Sequence, residues 1–312
     1  MSAEPAFIES LRALATHPAA RGLLDDAAVL DMDGRSLVLT HDMLVEGVHY
    51  LAGDPPADVA WKLVAVNLSD LAAKGARPIG ALLGYSLGED EWDEAFVEGL
   101  ATALTAFGLP LLGGDTVRGL GPRTLALTAL GEAGGPVPSR AGGRAGDHLW
   151  VSGSIGDSGA GLRGLKGEIA REPFLVERYR NPRPRLEAGE RLAPLVGAMM
   201  DVSDGLLIDA WRLAGSSRVA AQIDLASLPL SAEYLATLGE GREARLAAAT
   251  AGDDYELLFA ASPGRAAEIL ALQDELGLPL SRIGALAAGS GLRLTDGVSA
   301  VPLPPRLGWE HR

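Results

Sequence analysis

A series of aspartates stands where apolar sequence gives way to glycine or to a helix-like pattern. They are Asp25 and Asp26 in "LLDDAAVL", Asp42 in "LTHDMLVEGVHY", Asp70 in "NLSDLAAKG", Asp115 in "GGDTVRG", and Asp201 with Asp204 in "MMDVSDGLLIDA". Singly, each has an ordinary explanation, because Asp and Ser cap helices; that suits Asp70, Ser203 or Asp204. As a set they do not. Unpaired charge beside buried apolar sequence is expensive, and two like charges ~4 Å apart repel by ~4 kcal/mol at an effective dielectric of ~20. Divalent cations resolve the conflict. Oxygen donors from Asp, Thr, Ser and backbone carbonyls suit Mg²⁺, which keeps open positions that phosphate oxygens fill. The chemistry to expect is a metal-held polyphosphate on a chain whose formal charge of -14 would otherwise repel it. The spacing of a calcium EF-hand loop is absent.

With 312 residues, two domains are the better expectation, each able to bury its own core. A hydrophobic content of 47% argues for order nearly throughout. The absence of cysteine excludes disulfides, thiolate catalysis and zinc-thiolate sites. The excess of 41 acidic over 27 basic residues argues against nucleic acid as a partner. The opening "MSAEPAFIESLRALATHP" is acidic where a secretory signal is basic, and no stretch approaches the ~20 apolar residues of a membrane span. A cytoplasmic location without membrane attachment is expected.

Hydrophobic periodicity supplies the elements that position the acidic loops. A short helix near Phe7 to Ala15 is followed by two strands joined at Asp33-Gly34. "ADVAWKLVAVNLSDLAAKGARP" reads as a helix stopping near Gly75, "IGALLGYSL" as a buried strand and "DEAFVEGLATALTAFG" as a helix. "LPLLGGDT" and "RTLALTALGEA" add two strands, closing an α+β or α/β unit. The Gly- and Pro-dense stretch 134–147 reads as a linker, with the boundary drawn between domains 1–137 and 138–312. Beyond it, strands at "HLWVS", "AMMDV", "AAQIDL", "YELLFAAS" and "SRIGAL" alternate with helices, so this half is expected to be α/β.

No G-x-x-x-x-G-K-[ST] phosphate loop is present. "GAGLRG", 159–164, matches G-x-G-x-x-G, but it runs into the polar, proline-broken "FLVERYRNPRPR" rather than a second strand. A glycine turn packing a helix tightly on its strand is the better reading, with backbone contact to a phosphate left open. Asp157 in the same loop reads as a helix cap.

"DDAAVL", "THDMLVEGVHY", "AVNLSDLAAKGARP", "LLGGDTVRG", "SRAGGRAGD", "GSIGDSGAGL", "DVSDGLLIDA", "GDDYELLF" and the terminal "GWEH" follow one another in this order. The chain thereby resembles, over nearly its whole length, the thiamine-monophosphate kinase family within the superfamily of aminoimidazole ribonucleotide synthetase and selenophosphate synthetase. The resemblance implies a homodimer whose N-terminal sheets pair into a barrel, with an α/β C-terminal domain completing each site. It implies transfer of the ATP γ-phosphate to thiamine monophosphate, giving thiamine diphosphate and ADP, with several Mg²⁺ ions. By motif position, Asp26, Thr40, Asp42, Asp70, Asp115, Asp201 and Asp204 would be Mg²⁺ ligands. Asp42, Asp115, Asp201 and Asp204 would carry the catalysis. Gly114, Asp115, Arg140 and Ser203 would hold ATP, and His49, Asp253 and Trp309 would contact the thiamine phosphate.

Three departures stand out. Leu24 takes the place of the family's glycine before the aspartate pair, and Asp253 replaces a glutamate, shortening its reach by one methylene. His41 stands where threonine is usual among the metal ligands; imidazole is a poor Mg²⁺ ligand, so only its backbone carbonyl could substitute cleanly. On residue type alone, His49 reads equally as a structural histidine, Arg140 as a solvated linker charge and Trp309 as a core closure, although an indole also suits stacking on a thiazolium or pyrimidine. Since the acceptor is an ionised phosphate oxygen, no general base is expected. The competing readings are another ATP-using enzyme of the superfamily, close to aminoimidazole ribonucleotide synthetase, and a non-catalytic divalent-metal-binding protein.

Overall fold

The computed structural model describes residues 3–119 and 121–310, so Met1 and Ser2 of the opening segment and His311 of the terminal motif lie outside the described residues. After α1 (Ala3–Arg12), β1 (Ala28–Met32) and β2 (Arg35–Val45) form the expected hairpin. Asp33 and Gly34 make its turn with φ of 55° and 86°, the positive values that a two-residue turn of this hand requires. α2 (Pro56–Ala73), β3 (Ala76–Leu87), α3 (Asp90–Ala106), β4 (Leu111–Arg118) and β5 (Thr124–Ala133) follow. The five strands lie in the order β1-β2-β5-β3-β4, antiparallel except for β3 beside β4.

The second sheet is built from 148–301. In chain order its elements are β6 (His148–Ser152), α4 (Asp157–Leu165), α5 (Pro173–Arg180), α6 (Leu186–Leu192), β7 (Ala198–Asp201), α7 (Leu206–Ser216) and β8 (Ala220–Asp224). Then come α8 (Ala232–Leu238), α9 (Arg242–Thr250), β9 (Leu257–Ala261), α10 (Ala266–Leu276), β10 (Leu280–Ala287), β11 (Gly291–Asp296) and β12 (Ser299–Val301). Helices and strands alternate as expected, yet only β8 and β11 pair in parallel. Alternation along the chain says nothing about which strands become neighbours, and here most helices join strands that do not pair in parallel. Both halves are mixed α/β layers. β11 and β12, too short and polar to stand out by periodicity, were not expected as strands.

α2 is the axis of the molecule. It contacts β2, β3 and β5 on one side and β7, α5 and α6 on the other. Fourteen of its 18 residues are buried, so it is apolar nearly all round, as a helix wedged between two layers must be. The polar residues it buries, Lys62, Asn67, Ser69 and Asp70, therefore need partners from both sides. The connection 134–147 is packed rather than loose: Arg21 donates to the carbonyls of Val137 and Pro138, and the Ser217 hydroxyl donates to the Arg140 carbonyl at 2.6 Å.

β3 is not buried on both faces as expected. One face of the first sheet carries α2, whereas the other is bare, and Met43, Leu82 and Val117 project from it 44–57% exposed. β4 is exposed along all eight residues.

Candidate active site

A cavity of about 750 Å³ opens where α2, the end of β2, the start of α4 and the loops after β7 and before β9 converge. It is lined by Asp26, Asp42, His49, Asp70, Arg140, Asp201, Ser203, Asp204, Asp253 and Trp309, ten residues that lie far apart in the sequence. They arrive by several elements, Asp201, Ser203 and Asp204 together from the end of β7 and its loop. Asp42 sits on the helix-covered face of β2, its amide donating to Asn67 Oδ1 of α2 at 3.0 Å. Asp70 lies near the end of α2, and Asp201 at the end of β7, where its Oδ2 accepts from Ser69 Oγ at 2.7 Å. Thr40 is buried beside them, its hydroxyl donating to Asp70 Oδ2.

Asp26, Asp70 and Asp201 each offer an oxygen within 4.8 Å of the others. Such a set of hard oxygen donors fits a divalent cation of the Mg²⁺ kind. The electrostatics agree. Burial first, then Asp204 and Asp26, push the Asp42 carboxyl up to about 6. Burial and Asp26 push Asp201 up to about 8, despite the Ser69 hydrogen bond. Asp70 is raised well above the usual carboxylate range by burial and by Asp42, Asp201 and Asp26. Without a cation these groups hold protons in the folded state that the unfolded chain would release. Between about pH 4 and pH 8 the native state therefore binds more protons, and stability falls as pH rises. We expect the metal-free protein to lose several degrees of Tm from pH 5 to pH 8, and saturating Mg²⁺ to remove most of that slope. Thermal melts across this range, with and without Mg²⁺, test it; a metal-free Tm that rises with pH contradicts it.

Fixed cations answer part of the acidity. Arg140 Nε donates to Asp26 Oδ1 at 2.7 Å, so this arginine is neither a solvated charge nor free for a phosphate alone. Lys74 approaches Asp25 Oδ1 and Asp26 Oδ2, each at 2.5 Å. Burial opposes ionisation of Asp25, but Lys74 and Arg21 outweigh it and hold that carboxyl near 2. Arg212 pairs with Asp204 and, at 3.0 Å, with Asp209. Neither Ser203 nor Asp204 caps α7: the N-cap position is Gly205, and Asp209, inside the helix, reaches back to accept from the Asp204 and Gly205 amides at 3.1 Å.

The same lining includes His49, Tyr179, Asp253, Tyr255 and Trp309. His49 Nδ1 accepts from the Val45 amide at 3.0 Å, and the Trp309 amide donates to the Asp204 carbonyl at 2.8 Å. Asp253 and Tyr255 are left-handed at φ 68° and 51°, a conformation that non-glycine residues rarely adopt. Backbone bonds to Ser203 and Val202 hold them there at 2.7 and 2.8 Å. Lys62, buried in α2, donates to Asp253 Oδ2 at 2.8 Å and to the His49 carbonyl at 3.1 Å, and lies 4.0 Å from the Tyr179 ring centroid. This lysine was not singled out in the sequence. A charged residue on the all-apolar stretch of a helix was the available signal, along with Asn67 and Ser69.

Three expected site residues lie elsewhere in this chain. His41 points to the opposite face of β2 from Thr40 and Asp42, is exposed, and its Nδ1 is 2.8 Å from Thr128 Oγ1. The ring is not brought to the carboxylates, because side chains alternate along a strand. Asp115 is likewise on the bare face, opposite Gly84, and lines a separate hollow with Met43, Tyr85 and Ser86. Gly114 does not line the main cavity; a Cβ there would stand 2.0 Å from the Leu83 carbonyl oxygen, so close strand packing alone demands the glycine. The "GAGLRG" glycines fall inside α4 rather than in a turn, and a Cβ on Gly161 would meet the Leu175 carbonyl oxygen at 2.0 Å. Gly161 thus seats α4 on α5, not on a strand, while Gly159 faces Ala251 and Gly164 faces Arg171. Asp157 does not cap α4: it accepts from Ser154 and Ser231, while the Asp254 carboxylate accepts from the Gly156 amide at 2.8 Å.

Residues 24–133 match the family described as AIR synthase related protein, N-terminal domain, and residues 144–297 its C-terminal domain. Thiamine-monophosphate kinase of Caulobacter vibrioides is 41% identical over 303 residues, spanning 94% of this chain and 86% of that relative. The chain belongs to the thiamine-monophosphate kinase family. The Escherichia coli member is 36% identical over 275 residues, covering 86% of this chain and 84% of its own. Among solved structures, the thiamine-monophosphate kinase from Stenotrophomonas maltophilia matches at 39% identity and a TM-score of 0.79, over 95% of this chain and 96% of that one. A structure described as AaThiL complexed with AMPPCP and TMP matches at 32% identity and a TM-score of 0.86, over 98% and 96% of the two chains. The hydrogenase maturation protein HypE in complex with ATP, at 21% identity and a TM-score of 0.72, shares the fold.

Proposed function

We infer that this chain is a Mg²⁺-dependent kinase that transfers the γ-phosphate of ATP to thiamine monophosphate, producing thiamine diphosphate and ADP. The observation that carries the reading is the near-complete structural match to the thiamine-monophosphate kinase structure holding AMPPCP and TMP together. The cavity suits two anionic ligands, its lining combining a carboxylate cluster with aromatic and hydrogen-bonding groups.

Asp26, Asp42, Asp70, Asp201 and Asp204 are the residues proposed to hold Mg²⁺. The bound ion supplies the positive charge that lets ATP phosphate oxygens sit among aspartates. The chain's own groups do the rest. Arg140, held by Asp26, and Ser203 both line the cavity and are the groups proposed to meet phosphate oxygens there. Lys62 and Tyr255 each hold one oxygen of Asp253, at 2.8 and 3.1 Å, fixing the plane of its carboxylate for a cationic, aminated ring system. Trp309, 53% exposed, offers an indole face to the same ligand. The acceptor oxygen is ionised near neutral pH, so alignment and charge screening suffice without a base.

The division at 137/138 is proposed as a functional one: the first domain supplies Asp26, Asp42 and Asp70, and the second supplies Asp201, Asp204 and Asp253. A homodimer in which two first sheets pair their bare faces is part of the same proposal, and it gives Asp115 its role at the interface rather than in the cavity of its own chain. The exposed Met43, Leu82 and Val117 support it. Leu82→Asp is expected to shift the protein from dimer to monomer in light scattering and to lower turnover by at least ~10-fold. A wild-type monomer would end the proposal. A cytoplasmic location is proposed from the use of ATP; no described helix is long and apolar enough to cross a membrane.

Phosphorus NMR on purified protein with ATP, Mg²⁺ and thiamine monophosphate tests the reaction. A new diphosphate signal with thiamine is the expected result. ADP without it would assign another acceptor, and metal binding without ADP a non-catalytic role.

A further inference from the structure

Lys74 is fully buried at the C-terminal end of α2, where it occupies the C-cap position before Gly75. A lysine so placed is uncommon, because removing an ammonium from water is costly unless anions surround it. Its Nζ lies 2.5 Å from Asp25 Oδ1, 2.5 Å from Asp26 Oδ2 and 3.3 Å from the Met199 carbonyl oxygen. That environment, two carboxylates and a backbone carbonyl, consists of oxygen atoms only. It is the ligand chemistry of a hard cation. Asp26 is also one of the three residues whose oxygens converge within 4.8 Å.

We propose that Lys74 is a tethered cation: its ammonium takes the place at Asp25 and Asp26 that a mobile ion would otherwise fill, so this protein binds fewer ions beside Asp70 and Asp201 than its carboxylates allow. The proposal rests on the reading of that cluster as a divalent-metal site. Arg140 closes the other oxygen of Asp26, so each of its two oxygens meets a fixed charge. Asp26 then contributes field and only a residual lone pair, while Asp70 and Asp201 keep oxygens that no cation of the protein takes among the described residues. Loss of Lys74 would leave Asp25 with Arg21 alone, and the pocket between Asp26 and the Met199 carbonyl would open to an ion.

Mn²⁺ counting by electron paramagnetic resonance on the full-length protein tests this, without nucleotide and with a non-hydrolysable ATP analogue. Lys74→Met keeps most of the apolar stem and removes the charge. The expected result is about one further Mn²⁺ per chain and a larger gain in Tm on adding Mn²⁺ than in the wild type. Lys74→Met combined with Asp25→Asn leaves less uncompensated charge and is expected to show the same extra ion. An unchanged count in whichever variant folds overturns the proposal, as does failure of both to fold at any Mn²⁺ concentration, since a mobile ion then cannot replace the ammonium. Absence of Mn²⁺ binding in the wild type would instead overturn the metal-site reading beneath it.

Discussion

Asparagine at Asp201 is expected to lower phosphoryl transfer ~10³-fold or more at saturating Mg²⁺ while the fold stays intact. The residue is 3% exposed, ends β7, and shares one oxygen with the Ser69 hydroxyl while the cluster with Asp26 and Asp70 forms around it. The amide fills the same space and keeps a hydrogen bond, but it lacks the charge that makes an oxygen a good partner for a hard cation. Stability of the metal-free variant should not fall, because the wild-type carboxyl is already raised to about 8 by its burial and its neighbours. Asp42→Asn should behave alike for the same reason. Turnover and thermal melts on both variants decide it; near-normal turnover in the pair would remove the cluster from the reaction.

A second large effect is expected at Glu256, which lies outside the cavity lining. Its carboxylate is fully buried and accepts from Arg185 at 2.5 and 2.7 Å, from Arg178 at 2.7 Å and from the Ser152 hydroxyl at 2.6 Å. Burial alone would raise its pKa, but Arg185 and Arg178 hold it below the usual carboxylate range. Breaking such a pair by removing one partner leaves buried charge uncompensated, a loss of about 3–5 kcal/mol. Glu256→Ala is therefore expected to lose that much in urea unfolding, and Glu256→Gln less. The damage should reach function as well, because Glu256 anchors the strand end from which the strained Asp253 and Tyr255 project. A loss below ~1 kcal/mol in Glu256→Ala would show that the ion cluster is dispensable.

Much of the layout was legible because short-range physics dictates it. The Asp33-Gly34 turn, the stop of α2 near Gly75 and the strands around 148–152 and 257–261 follow from turn chemistry and hydrophobic period, which depend on neighbours in the chain. β3 shows the limit. Its apolar residues predict a strand buried on both faces, but whether a face is covered depends on where the helices land, and here one face is left bare. The glycines of "GAGLRG" show another: their spacing suggests a turn, while the requirement at Gly161 comes from the Leu175 backbone of α5, fourteen residues on.

The amino-acid sequence by itself determined that carboxylates would end strands and start helices in an acidic chain without cysteine, and that such carboxylates need cations. The residue order also carried the family. Only the tertiary structure decided which carboxylates meet and what neutralises them. Strand alternation sends Asp42 into the cavity and His41 and Asp115 to the bare face. The wedge of α2 between two sheets brings Ser69 to Asp201, Lys62 to Asp253 and Lys74 to Asp25 and Asp26. These pairings join residues 48 to 191 positions apart, from Asp26 with Lys74 to Lys62 with Asp253. Composition sets the sign of the charge, but Coulomb energy falls with distance in space, and distances of that kind exist only once the layers have packed.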